Sequence, residues 1–280
     1  MRMTLDELAG SVDQLAPETR VLQRVLEVTG DQDFRVEDLV TVVQLDAGLT
    51  GHVLRFCNSA LFSLPRVIES LAEATMYLGS RQVANLAVTF CTSRSFFSGD
   101  FETSPFDRQA LWSRSIASAF ASDLLANQAS LSSNGTAYTA GLLHDVGLSI
   151  FCQQLGSYRD IVRRADDCFE ALPDCEREVL GFDHCELGAE IARRWRFSER
   201  LIESIQCHHD HADAVLDRGL TATVRLADSM AWQIVPDPRF RPVDCEESAL
   251  RVLHLSLEHV DQSKEFVGSQ MQIAGELLSI

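Results

Sequence analysis

The sequence predicts an all-α protein: a helical bundle in the N-terminal subdomain, packed on a second helical block. Three observations carry that expectation. Apolar residues recur at the i, i+3, i+4, i+7 spacing of a helix face in segment after segment. No stretch shows the two-residue alternation of a half-buried strand. The stripes are also bounded by the prolines, glycines and serines that start and stop helices.

The elements follow in order. Val21, Leu22, Val25 and Leu26 form a first stripe, begun by Pro17 and ended near Gly30. Val36, Leu39, Val40 and Val43 form a second, and Leu49, Val53, Phe56 and Cys57 a third. Leu71, Ala74 and Leu78 form a fourth, stopped by Gly79 as a C-terminal glycine stops a helix. Ser80 is placed to cap the next, with its stripe of Val83, Leu86, Ala87 and Phe90. The polar, turn-rich run from Ser98 to Pro105 is the expected boundary between residues 1–100 and 101–280. Trp112, Ile116, Ala119 and Phe120 open the second block, and Leu131 to Gly135 reads as a loop before the helix that carries His144. A further loop, Asp237 to Pro242, precedes the last helices.

Composition narrows the function classes. The formal net charge is -17, a surface that repels nucleic-acid phosphates and anionic lipid, so neither is an expected partner. No apolar run approaches the roughly 20 residues of a membrane-spanning helix, and the N-terminal segment, with Asp6 and Glu7, offers no apolar signal-peptide core, so cytoplasmic location is the expectation. The eight cysteines are scattered without a Cys-x-x-Cys pair and read as reduced, buried side chains.

Chemistry concentrates in the second block, which holds His144, His184, His208, His209 and His211. His144 follows a face of small residues, Ala137, Ala140 and Gly141. His184 heads the apolar stripe Gly188, Ile191, Ala192 and Trp195. Asp228 shares a face with Val224, Ala227 and Ala231, where an unpaired carboxylate is costly. A buried carboxylate needs a cation, donors or a proton, and histidines around a metal would satisfy it. Such nitrogen and oxygen ligands suit a divalent Fe, Mn, Zn or Ni ion alike. Singly, each of these residues is more often structural; together they point to a metal site.

The run Gly141-Leu-Leu-His-Asp-Val-Gly147, then His184-Cys-Glu-Leu-Gly188, His208-His209 and Leu226-Ala-Asp-Ser-Met-Ala231, resembles the motif order of the HD phosphohydrolase superfamily. Upstream, Asp46 to Ala60, Leu61 to Pro65 and Ser70 to Gly79 resemble a narrower family, the HDOD domain, an HD-related output domain of bacterial signalling proteins. The resemblance covers the chain from about Leu15 to Asp228. It implies an HD-like helical domain in the second block, a role in signal transduction, and a signalling protein as partner. It also implies comparison with the HD-GYP phosphodiesterases, which hydrolyse cyclic di-GMP at a two-metal site. By that comparison Asp145 would bridge the metals. His144 and Asp228 would serve one, and His184, His208 and His209 the other.

Two positions depart from the catalytic pattern. Arg114 stands where the first histidine is expected, and a guanidinium cannot ligate a metal. Leu148 stands where the catalytic proteins carry a lysine useful to a phosphate substrate, and no Gly-Tyr-Pro loop follows. The expected function is therefore a regulatory module of HDOD type without catalysis, binding a protein or ligand with a residual metal. The alternative is a metal-dependent phosphohydrolase with an atypical site, Arg114 gripping phosphate. A third reading has the histidines and Asp228 simply hydrogen-bonding one another in the core of an interaction protein. Asn58, in the Asn-Ser-Ala segment, is expected to bond backbone at a helix end rather than contact a ligand. Arg193, Arg194 and Arg196 read as a solvated helix face, and Trp112, Trp195 and Trp232 as core.

Overall fold

The computed structural model describes residues 3–12, 18–29, 35–59, 66–131, 135–166, 168–241, 243–244 and 247–278. Pro17, Gly30, Ala60, Leu61 to Pro65, Pro242 and Cys245, read above from sequence, lie outside them. Every regular element among the described residues is helical. Five helices build the N-terminal layer: α1 (Leu5–Val12), α2 (Glu18–Thr29), α3 (Val36–Gln44), α4 (Ala47–Cys57) and α5 (Leu71–Leu78). Next come α6 (Ser80–Phe96), α7 (Arg108–Gln128), α8 (Thr136–Leu143), α9 (Val146–Gln154) and α10 (Tyr158–Arg164). The remainder are α11 (Leu172–Leu180), α12 (His184–Arg194), α13 (Glu199–Gln206), α14 (Arg218–Ile234), α15 (Glu247–Leu253) and α16 (Leu257–Leu278).

The stripes bury as their spacing requires, with one local shift. Leu22 and Val25 of α2, and Leu49, Val53 and Cys57 of α4, are fully buried. On α3 the buried face is Leu39, Val42 and Val43, while Val36 is exposed. Gly79 ends α5 as expected, but Ser80 does not cap α6: it is the first helical residue, and Gly79 holds the cap position. Asp46 and Ser70 cap α4 and α5 by accepting bonds from the N–H groups of Leu49 and Glu73.

Asn58 bonds backbone, but not at its own helix end. Its carboxamide accepts from Ile68 N (2.7 Å) and donates to Ile68 O (2.8 Å), pinning the chain ten residues on to the end of α4. Losing both bonds leaves two backbone groups unpaired, so Asn58→Ala is expected to destabilise the protein by about 2 kcal/mol. Chemical denaturation with an unchanged slope checks this.

α6 and α7 are the central rods. α6 is buried from Val83 to Ser93 with the sole half-buried exception of Phe90, and packs on α2, α4, α5 and α8. α7 packs on α8, α14 and α16. Small residues permit the closest of these approaches. A Cβ at Gly141 would meet the Ser118 carbonyl oxygen at 2.5 Å, so α8 lies almost backbone to backbone on α7. One apolar cluster runs from Leu8 to Val243 through both halves of the chain, crossing the Ser98 to Pro105 segment through Phe101. Trp112, Trp195 and Trp232 are buried within it.

Candidate metal centre

The site is assembled by helix ends. His144 closes α8 and Asp145 precedes α9, so the doublet sits in the break between two consecutive helices. His184 opens α12, where Asp183 and Glu186 form a reciprocal capping box that fixes the first turn. His208 and His209 follow the end of α13, and Asp228 lies mid-way along α14. The structure brings all six of these predicted residues into one buried cluster. His211 is excluded; it is buried apart, with Nε2 at 3.2 Å from the Ser248 hydroxyl.

Asp145 is the centre of the arrangement. Its Oδ2 lies 3.4 Å from His144 Nε2, which is itself 3.3 Å from Asp228 Oδ1. Its Oδ1 lies 3.5 Å from both His184 Nε2 and His208 Nε2. His209 Nε2 completes the second group at 3.1 Å from His184 Nε2. One carboxylate thus faces two sets of nitrogen atoms.

Three histidines are oriented the same way. The Nδ1–H of His144 donates to Gly141 O (2.7 Å), that of His208 to Ile205 O (2.7 Å), and that of His184 to Glu176 Oε2 (2.7 Å). Each ring therefore turns Nε2 into the centre, the arrangement by which outer partners orient metal-ligating imidazoles. Asp145 Oδ1 is buried and has no hydrogen-bond partner among the described residues; a cation would satisfy it. Tetrahedral coordination at ordinary zinc bond lengths sets ligand atoms roughly 3.3–3.7 Å apart. The 3.1 and 3.5 Å separations around His184 lie close to that range. The donor set fits a divalent metal.

Three contributors were not anticipated from sequence. Cys185 Sγ lies 4.0 Å from His208 Nε2 and belongs, with His184, His208 and His209, to a group of ligand atoms mutually within 4.8 Å. Burial alone would raise this thiol; the His184 and His208 charges outweigh it and hold the pKa below the usual value. Glu176, fully buried, accepts from both the backbone N–H (2.8 Å) and the ring of His184, and from the Tyr158 hydroxyl. Glu170 accepts from Arg225 (2.9 Å) and stands 3.7 Å from His209 Nδ1. Adjacency to His184 was the one available signal for Cys185; nothing in the spacing of Glu176 or Tyr158 marked them.

Arg114 is a buried, fixed cation close to the cluster. It is 3% exposed, its Nε–H donates to Val235 O (2.9 Å), and its guanidinium carbon sits 3.9 Å from the Trp232 ring. Burial lowers its pKa, opposed by the charges of Asp237, Asp145 and Asp228. Leu148 is fully buried in the apolar core.

Protonation opposes metal loading here. Burial alone would lower the histidines, but the Cys185 charge and the Asp145 carboxylate push His208 up to about 9. His144 and His184 are likewise raised, by Asp145 and Asp228 and by Cys185 and Glu176 respectively. His209 goes the other way, lowered by burial and by the neighbouring His208 and His184 charges. A raised pKa means a proton the metal must displace. Apparent affinity for zinc is therefore expected to rise by up to about tenfold per pH unit for each proton displaced. Without metal the His208 proton stabilises the fold fully below pH 6.5, and that contribution is lost as pH climbs through about 9. Titration calorimetry in buffers of different ionisation enthalpy measures the released protons.

Fold and site together define an all-helical, HD-type domain built around a buried histidine–aspartate cluster. A family model, the HDOD domain, matches residues 15–211, and the chain belongs to that family. Among solved structures it is similar to an HDOD domain protein from Geobacter sulfurreducens, with 25% identity, a TM-score of 0.73, and 97% and 95% of the two chains covered. A candidate signal transduction protein from Marinobacter aquaeolei VT8 shares the fold at 18% identity and a TM-score of 0.79, over 99% of this chain and 62% of that one. A candidate phosphohydrolase from Shewanella amazonensis SB2B does so at 22% identity and a TM-score of 0.73, over 97% and 98%. An uncharacterized protein of Treponema pallidum (strain Nichols) is 26% identical over 223 residues, 78% of this chain; the match spans 41% of that relative's length. Among the described residues no helix is long and apolar enough to cross a membrane.

Proposed function

We propose that this HDOD domain is a signalling module that does not hydrolyse phosphodiesters and holds one divalent metal, offering its helical surface to a protein or ligand partner. The observation that carries this reading is Arg114. Its guanidinium is clamped between the Trp232 ring and Val235 O and feels the Asp145 and Asp228 carboxylates, so it supplies positive charge on the side of the cluster where a first metal would sit. A second cation there meets repulsion and lacks an imidazole ligand. The other side, with His184, His208, His209 and Asp145 Oδ1, keeps its nitrogen and oxygen donors. Cys185 adds a soft sulfur, a set that suits Zn above Mn.

Two-metal phosphoryl chemistry uses one ion to prepare the nucleophile and both to stabilise developing charge. With one ion, no lysine at Leu148 and an arginine in a ligand's place, that division of labour is lost. Purified protein is expected to bind one metal per chain and to return cyclic di-GMP intact in the presence of added Mn or Fe. Robust hydrolysis, abolished by Asp145→Ala, would sink the proposal.

A second reading draws on one observation: both Nη atoms of Arg114 are buried without a hydrogen-bond partner. Such a fork suits phosphate oxygens, and supports an atypical mononuclear phosphohydrolase. That reading expects turnover of a phosphodiester by wild-type protein and its loss in Arg114→Lys, which keeps the charge but not the fork.

A further inference from the structure

A concavity lies away from the histidine cluster, where the N-terminal helices meet those that carry the metal-centre residues. Its volume is about 440 Å³, within the roughly 300–1,000 Å³ of small-molecule sites. α2 and α6 form one wall, α8 and the start of α13 the other. The apolar part is Val88, Trp195 and Leu201. Two polar side chains stand among them. Asn85 and Thr139 are each 7% exposed and line the cavity, and neither the carboxamide nor the hydroxyl side chain has a hydrogen-bond partner among the described residues; the Asn85 carboxamide offers the cavity a donor and an acceptor.

The mouth is cationic, in a chain whose net charge is -17. Arg196 lines it, is exposed, and makes no ion pair among the described residues. Arg81 lines it as well, tied on one side to Asp123. α8 begins here at Gly135, which has no side chain to cap the first turn, and α13 begins here at Ser198. The N-terminus of α8, which no side chain caps, and two guanidinium groups favour negative charge, whereas the start of α13 is already capped by the Ser198 hydroxyl. The one carboxylate at the rim among the described residues, Glu27, is paired with Arg24 at 3.0 Å.

We infer that this cavity is a binding site for a small organic anion: a phosphate or carboxylate head held by Arg196 and Arg81, and a compact body with an amide-like edge on Asn85 and an apolar face on Trp195 and Leu201. The site is independent of the metal assignment, since none of its lining residues belongs to the histidine cluster. α8 passes from Thr139 in its wall to His144, and α13 from Leu201 to the turn that carries His208.

The test uses 8-anilinonaphthalene-1-sulfonate, an anion with an aromatic body, and N-phenyl-1-naphthylamine, the same rings without the sulfonate. The anionic dye is expected to bind the whole chain saturably with one site. Its Kd should rise about tenfold or more in Arg196→Glu, as loss of a charged hydrogen bond implies, and stay unchanged in Arg193→Glu, in the last turn of the helix that precedes Arg196. Asn85→Leu is expected to weaken binding while leaving Tm equal or higher, because the amide it removes has no partner. Equal affinity for the neutral dye, or wild-type affinity in either Arg196→Glu or Asn85→Leu, overturns the inference. Inorganic phosphate and acetate as competitors separate the two head groups: displacement by one names it, and displacement by neither also overturns the site.

Discussion

His184→Ala is expected to purify with less than about a tenth of the divalent metal that the wild-type protein carries, while retaining its helical circular dichroism. His184 stands at the junction of the proposed ligand set, 3.1 Å from His209 Nε2 and 3.5 Å from Asp145 Oδ1. Removing it breaks the three-imidazole arrangement and releases Glu176 from its ring donor. Glu176→Gln gives a graded companion: the ring keeps its place but loses the carboxylate that holds Nδ1–H, and outer partners of this kind are worth about 10–100-fold in metal affinity. Elemental analysis of freshly purified wild type, His184→Ala and Glu176→Gln separates the readings. Equal metal in all three, or stability indifferent to chelators, supports instead a core in which the histidines merely hydrogen-bond one another.

Gly147→Ala should cost about 3 kcal/mol or more, a fall in Tm on the order of 5–10 °C. α9 and α12 cross with their backbones in contact at this point. An added Cβ at Gly147 would collide with the His184 carbonyl oxygen and stand 2.9 Å from Gly188 N. Both obstacles are backbone, so no side chain can swing aside, and the helices must separate. The same displacement moves His184 from Asp145, so metal content should fall along with stability. Gly156→Ala, with open space around its Cβ, is the control and should be close to neutral. Thermal denaturation of the three proteins, with and without chelator, measures both effects.

Much of this architecture was legible in the residues. The helical stripes located α2 to α7, because burying one face of a helix demands the 3.6-residue spacing whatever it packs against. The His-Asp doublet and the spacing to His184, His208-His209 and Asp228 identified the motif order. Ser80 was misjudged as a cap because Gly79 could serve both as the end of α5 and the start of α6. Asn58 was legible as a backbone-bonding residue, yet its partner, Ile68, was not, since that contact spans ten residues. Val36 shows the same limit: periodicity ranks faces, and only neighbouring elements decide how far along a helix the buried face extends.

Residue type and local spacing alone specified the helical class, the HD-type residue order and an arginine at position 114. Tertiary structure decided what those residues do together. It set Asp145 between two groups of nitrogens and turned three Nε2 atoms inward through acceptors on Gly141, Ile205 and Glu176. It brought Cys185 into the cluster and laid Arg114 on Trp232. Imidazole orientation and charge balance arise from contacts between helices far apart in the chain, and no one-dimensional spacing contains those distances.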